Sequence, residues 1–124
     1  YKEEDTVVPR AELPKLLKGV KEIGNKHGFS TVCYGHAGDG NLHINIVKGE
    51  MNDSTWNNDL SKGIRELFEL TVSLGGTLSG EHGIGLVQKE YMDIAFSPVS
   101  LELQKGIKAL FDPNGILNPK KIFA

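Results

Sequence analysis

The chain is expected to adopt an α+β fold of the ferredoxin-like type: a βαββαβ antiparallel sheet with helices on one face, followed by C-terminal helices. Three observations predict it. Residues 10–27 and 55–74 each carry one apolar stripe at helical spacing. Short strand-like runs flank both stretches, around Thr6-Val7-Val8, Phe29 to His36, Leu42 to Val47 and Thr77-Leu78-Ser79. Between the middle two runs stands Asp39-Gly40, a strong hairpin signal, because a type I′ turn needs φ > 0 at both central positions.

Taken in order, Thr6 to Val8 is a short strand ended by Pro9. Leu13, Leu16, Leu17, Val20 and Ile23 then form the first stripe; Lys26 and His27 sit in its last turn, and Gly28 suits a left-handed helix stop. With Asp39-Gly40 as a two-residue turn, Gly38 opposes Asn41, Ala37 opposes Leu42, His36 opposes His43 and Tyr34 opposes Asn45. One face of the hairpin then carries Tyr34, His36, His43 and Asn45. The other, with Cys33, Gly35, Ala37, Leu42, Ile44 and Ile46, is small or apolar and suits packing on helices. The second stripe runs through Leu60, Ile64, Leu67, Phe68 and Val72 and stops at Gly75-Gly76. Trp56 and Phe68 are expected in the core. Two more helices follow, over about 84–95 and 98–111, the latter capped by Ser97 with Pro98 at its first position. Asp112-Pro113-Asn114-Gly115 is a turn, and an irregular tail begins at Ile116.

A length of 124 residues allows one domain or a piece of one. The net charge of −2, with no basic run beyond Lys120-Lys121, argues against a nucleic-acid partner. The lone Cys33, on the apolar face, excludes an internal disulfide and fits a reducing compartment such as the cytoplasm. No run is long and apolar enough for a membrane span. The opening Tyr1-Lys2-Glu3-Glu4-Asp5 has no Met and leads at once into a strand, as in a fragment of something longer; a processed terminus is the alternative.

His36 and His43, opposed across a tight turn, supply half of a metal site. Glu81, in the glycine-rich Ser79-Gly80-Glu81-His82-Gly83, supplies a third ligand if its segment lies beside the hairpin. Two imidazoles and a carboxylate leave an open coordination position, as catalytic zinc or manganese requires. The alternative is a pair of surface histidines and a solvated acid. His82 follows Glu81 directly, so on an extended segment it points the other way and suits acid/base work better than ligation; a structural histidine is its alternative. Asn45 shares the histidine face and can bond a substrate oxygen. Asp39 reads as a turn residue and His27 as a helix-end cation. Gly83-Ile84-Gly85 lacks the third glycine of a dinucleotide fingerprint.

Three segments, Tyr34-Gly35-His36-Ala37-Gly38-Asp39-Gly40-Asn41-Leu42-His43, Gly75-Gly76-Thr77-Leu78-Ser79-Gly80-Glu81-His82-Gly83-Ile84-Gly85 and Phe111-Asp112-Pro113-Asn114-Gly115-Ile116-Leu117-Asn118-Pro119-Lys120-Lys121-Ile122, give the chain its resemblance to a known family. In that order they resemble the C-terminal region of FAD-linked oxidases of the vanillyl-alcohol-oxidase type, a group that includes D-lactate dehydrogenases, the glycolate oxidase flavin subunit and D-2-hydroxyglutarate dehydrogenase. The resemblance implies that His36, His43 and Glu81 bind a divalent metal, that Asn45 contacts substrate, that His82 accepts a proton and that Asn118 lies near the flavin. One branch uses a substrate lysine just before the first strand; Lys2 is near that place but one residue out of register, with Glu3 at the matching distance from Pro9.

The resemblance also implies that residues 1–80 are half of a substrate cap and 81–124 a C-terminal helical segment, with the FAD-binding domain N-terminal to both. FAD and a divalent metal, Zn or Mn, are then the cofactors, and the fragment alone is expected to be inactive. A small 2-hydroxy acid would be oxidised to the 2-oxo acid by hydride transfer to FAD, with His82 taking the hydroxyl proton. Two readings of other classes stand beside it: a divalent-metal-dependent hydrolase, and a non-catalytic cap or assembly module. The identity of the hydroxy acid, the metal and the electron acceptor is left open. A half-cap exposes a sheet edge and apolar surface, so the fragment is expected to self-associate as a homo-oligomer.

Overall fold

Lys2–Val7 forms the first strand, β1, although four of its six residues, Lys-Glu-Glu-Asp-Thr-Val, are charged. In this computed structural model, which describes residues 2–123, the strand starts earlier than the Thr6 to Val8 run expected from hydrophobicity. The charges are accommodated by alternation. Glu3 and Asp5 lie on one face. Lys2, Glu4 and Thr6 lie on the other, where Lys2 Nζ sits 3.5 Å from Glu4 Oε1 and Thr6 Oγ1 donates to Leu42 O at 2.9 Å.

A single 3₁₀ turn, Arg10–Glu12, leads into α1, Leu13–His27. As the sequence predicts, α1 ends at Gly28 in the left-handed region, φ 79°. Its buried stripe is narrower than the pattern suggested: Leu16, Val20 and Gly24 are enclosed, while Leu17 is exposed. Strand β2 (Ser30–His36) and strand β3 (Asn41–Val47) complete an antiparallel sheet of order β1-β3-β2. Helix α2, Asp53–Ser73, follows; Asn52 Oδ1 caps it by accepting from Thr55 N at 2.8 Å, worth about 1 kcal/mol. Leu16, Val20, Ile44, Ile46, Ile64, Leu67 and Phe68, all at most 1% exposed, form the core between the helices and one face of the sheet. Trp56, expected there, is only half-buried.

The α+β class and the ferredoxin-like strand order are therefore present, with two departures. The fourth strand contracts to one antiparallel bridge, Thr77 to Val7 at the free edge of β1. Beyond it the backbone N–H groups of Gly80, Glu81 and His82 bond the Asp5 carboxylate, so they are not available to a ladder.

The hairpin register also differs. The connection is four residues, a 3₁₀ turn at Ala37–Asp39 closed by Gly40 at φ 74°, with Gly40 N donating to Ala37 O at 3.3 Å. Asp39 does not take positive φ, so the turn is not type I′. His36 opposes Asn41, Tyr34 opposes His43 and Val32 opposes Asn45, a two-residue offset from the expected pairing. Because side chains alternate with period 2, an offset of two leaves every residue on its expected face. His36 and His43 remain on one side as diagonal neighbours.

The chain forms two compact units, Tyr1–His82 and Gly83–Ala124. In the second, the helix expected over 84–95 is reduced to a 3₁₀ turn at Lys89–Tyr91 and one turn, α3, Met92–Ala95. Gly83 and Gly85 stand at φ 82° and 56°, which an α-helix does not permit. Helix α4, Pro98–Phe111, forms as predicted, with Ser97 Oγ accepting from Ser100 N at 3.2 Å. Val99, Leu103, Ile107 and Leu110 on α4 are exposed. The following turn is organised by Asp112, whose carboxylate accepts from Ile116 N and Leu117 N at 3.0 Å each and from Lys108 Nζ. The Lys108 ammonium, aided by those two N–H groups, holds the Asp112 carboxyl below its usual range against the opposing effect of burial. Among the described residues, no helix is long and apolar enough to cross a membrane.

Candidate metal centre

The face of the sheet opposite the helices carries the polar cluster. β3 is the middle strand, so His43 has a partner on each side: Asp5 on β1 and Tyr34 on β2. The Tyr34 ring stacks on His43 with centroids 5.2 Å apart and planes 11° from parallel, which fixes the imidazole in orientation. His43 is 8% exposed. Its Nδ1 lies 3.0 Å from Glu3 Oε1. A carboxylate only accepts, so Nδ1 is the donor in that contact, and Nε2 faces the opposite direction.

That nitrogen points into the cluster the sequence suggested. His43 Nε2 is 3.4 Å from Glu81 Oε1, and His36 Nε2 is 4.0 Å from the same oxygen. The ligand atoms of His36, His43 and Glu81 all lie within 4.8 Å of one another. A tetrahedral ion with bonds near 2.1 Å needs its donors about 3.4 Å apart, so the trio fits if the widest pair closes by at most about 1.4 Å. Two imidazole nitrogens and one carboxylate suit zinc or manganese. His36 and Glu81 are exposed, which leaves the remaining coordination positions open.

His82 differs in placement from the sequence-based expectation. The 79–82 segment is not extended but curls around Asp5, so His82 is not carried to the opposite side. Its ring centroid is 5.3 Å from that of His43, and it forms a second metal-capable group with Glu3 and His43. Asn45 shares the face, opposite Glu3 and Val32, and its Oδ1 is buried without a hydrogen-bond partner among the described residues. Such a group is costly unless something bonds it, as a ligand would.

Asn118 belongs to the second unit, at φ 45°, its side chain accepting from Lys121 Nζ at 3.2 Å. Lys2 lies on the helix-packed face with Glu4, so Glu3 and not Lys2 reaches the cluster. His27 is not a free helix-end cation: it lies 3.2 Å from Glu66 Oε1 and stacks on Phe29. Asp39 is a turn residue, as expected. Burial raises the Cys33 thiol above its ordinary value, outweighing Lys21 and Thr31, and keeps it inert.

Sequence reasoning missed Glu3 and Asp5. Asp5 is 1% exposed. Burial pushes its carboxyl up, but the Glu81 and His82 N–H groups, Asn41 Nδ2 and the His82 ring together outweigh burial and hold it below the usual range. The signal was available: alternation through Lys2-Glu3-Glu4-Asp5-Thr6 places both acids on the face that pairs with His43, once the strand is begun at Lys2.

Residues 1–122 match the family described as FAD linked oxidases, C-terminal domain. The chain is 38% identical over 121 residues to a glycolate oxidase subunit GlcD of Bacillus subtilis, covering 98% of this chain and 26% of that protein. It is 39% identical over 123 residues to a D-2-hydroxyglutarate dehydrogenase of Stutzerimonas stutzeri, covering 97% and 26%. It is 40% identical over 118 residues to a D-lactate dehydrogenase of Archaeoglobus fulgidus, covering 95% and 26%. The chain thus spans about a quarter of the length of these relatives.

Proposed function

Since the chain belongs to the family of FAD-linked oxidase C-terminal domains, we propose that it is the metal-bearing, substrate-binding part of a flavin-dependent 2-hydroxyacid dehydrogenase or oxidase. The substrate is of the glycolate, D-lactate or D-2-hydroxyglutarate class, and the product is the 2-oxo acid. FAD is bound mainly by a separate domain of the same protein. The convergence of His36, His43 and Glu81 on one point carries this reading, because a 2-hydroxy acid is a bidentate oxygen ligand for a hard or borderline cation.

His36 Nε2, His43 Nε2 and a Glu81 oxygen would hold the cation. When bound, a divalent cation supplies Lewis-acid polarisation of the substrate hydroxyl, and the flavin supplies the hydride acceptor. Glu3 keeps His43 in the tautomer that leaves Nε2 available. His82 accepts the hydroxyl proton at a ring nitrogen. Asn45 bonds a substrate oxygen with its amide. Asn118, in the second unit, would be a residue close to the bound flavin.

The test is oxidation of a panel of 2-hydroxy acids by the full-length protein with a dye as electron acceptor. Turnover is expected with at least one member, and His82→Ala should lower kcat by ~10²–10⁴-fold, the usual range for general acid–base work. No oxidation across the panel, or a His82→Ala variant with unchanged kcat, overturns the reading. Metal-dependent ester hydrolysis instead would move the protein to the hydrolase class.

A further inference from the structure

We infer that Asp5 is the positioning residue of this site: it sets Glu81 and His82 against the two hairpin histidines. The inference rests on the reading that Glu81 binds a cation and His82 takes a proton. It concerns what holds them there.

Asp5 stands directly opposite His43 in the β1–β3 pairing, on the same face. One oxygen, Oδ2, accepts from three consecutive backbone N–H groups: Gly80 at 3.0 Å, Glu81 at 2.5 Å and His82 at 2.9 Å. Ser79 Oγ approaches the same atom at 3.4 Å. The other oxygen accepts from Asn41 Nδ2 at 2.7 Å. Three successive N–H groups aimed at one atom force the backbone to curl around it, the nest geometry that elsewhere captures free anions. Here the anion is a side chain of the chain itself, so the loop is tied to a fixed point of the sheet.

The tie matters because residues 78–83 have no regular secondary structure, and Glu81 and His82 are exposed. Their Cα positions therefore depend on the bonds to Asp5. Gly80 makes the approach possible: a Cβ there would lie 2.5 Å from both Asn41 Nδ2 and Val7 Cγ2. Asn41 in turn opposes His36 across the hairpin and donates to Thr6 O at 3.0 Å. One carboxylate thus joins the acid-and-base loop, the His43 strand and the His36 turn. Asp5 touches neither cation nor substrate on this account; it acts through Glu81 and His82.

The experiment is a cobalt titration of the full-length protein after chelator treatment, followed through the visible absorption of bound Co²⁺ and repeated for Asp5→Asn, Glu81→Gln and the double variant. Asp5→Asn keeps the shape but turns one oxygen into a donor that faces other donors. It should weaken Co²⁺ binding at least tenfold and change the band shape, while far-ultraviolet circular dichroism stays native. In the Glu81→Gln background the Asp5 substitution should add less than threefold, since Asp5 acts through Glu81. If Asp5→Asn does not fold, Asn41→Ala, which leaves the three loop N–H bonds to Oδ2 in place and removes the Asn41 bonds to Asp5 Oδ1 and Thr6 O, should weaken Co²⁺ by a smaller factor with the same non-additivity. Native affinity in Asp5→Asn, or losses that simply multiply in the double variant, overturn the positioning role while leaving the proposed function standing. Failure of the wild-type protein to bind Co²⁺ at all overturns both.

Discussion

Replacing Gly40 by Ala tests how the two histidines are brought to one side. Gly40 sits at φ 74°, and a Cβ on it would lie 1.9 Å from Val8 O. Val8 N also donates to Gly40 O at 3.1 Å, so the two backbones are in direct contact. Forcing an L-residue into the left-handed region costs about 1–2 kcal/mol. Displacing the neighbouring strand end also removes a hydrogen bond worth about 0.5–1.5 kcal/mol. Gly40→Ala should therefore lose roughly 1.5–3.5 kcal/mol once that displacement has relieved the clash with Val8. Equilibrium urea unfolding of the protein reads this as a lowered midpoint at unchanged slope. Two controls sharpen the test. Gly38 has open space around its Cβ position and no positive φ, so Gly38→Ala should stay within ~0.5 kcal/mol. Asp39→Ala should also be mild, because Asp39 does not take positive φ. An Asp39→Ala loss as large as that of Gly40→Ala would restore the type I′ turn and refute the observed register.

Other predictions follow from the same geometry. Glu3→Ala removes the acceptor at His43 Nδ1 and should weaken divalent-cation binding ~10–100-fold, read by calorimetric titration; unchanged affinity would mean that Glu3 does not orient the ring. Asp112 has a folded pKa below its ordinary 3.8, so it contributes stability that is fully present above that value and lost as pH falls through the lower folded value. Asp112→Asn should flatten the dependence of unfolding free energy on pH below about 4, and an unaltered slope there would contradict the assignment. The exposed row Val99, Leu103, Ile107 and Leu110 should make the isolated chain self-associate, and Leu103→Lys with Ile107→Lys should shift it toward monomer in sedimentation equilibrium. A wild-type chain that stays monomeric over a wide concentration series contradicts this.

Residues whose patterning is governed by burial were the most legible in the sequence. The stripes of α1 and α2 and the alternation Leu42-His43-Ile44-Asn45-Ile46 gave the correct faces, because period 3.6 and period 2 follow directly from backbone geometry. The placement of His36 and His43 on one side survived a wrong turn type for the same reason: an offset of two preserves parity. Long-range polar tertiary contacts were not legible. The strand expected at Thr6 to Val8 begins instead at Lys2, because two of its acids find partners in distant segments: Glu3 in His43 and Asp5 in residues 79–82. The same carboxylate converts an expected fourth strand into a loop. The helix expected at 84–95 failed at Gly83 and Gly85, whose left-handed backbone is a local choice that apolar periodicity does not report.

Zinc anomalous scattering from crystals of the full-length protein tests the central claim most directly. A single strong peak should lie about 2.0–2.2 Å from His36 Nε2, His43 Nε2 and a Glu81 oxygen. A peak among Glu3, His43 and His82 instead, or none on this face of the sheet, would contradict it.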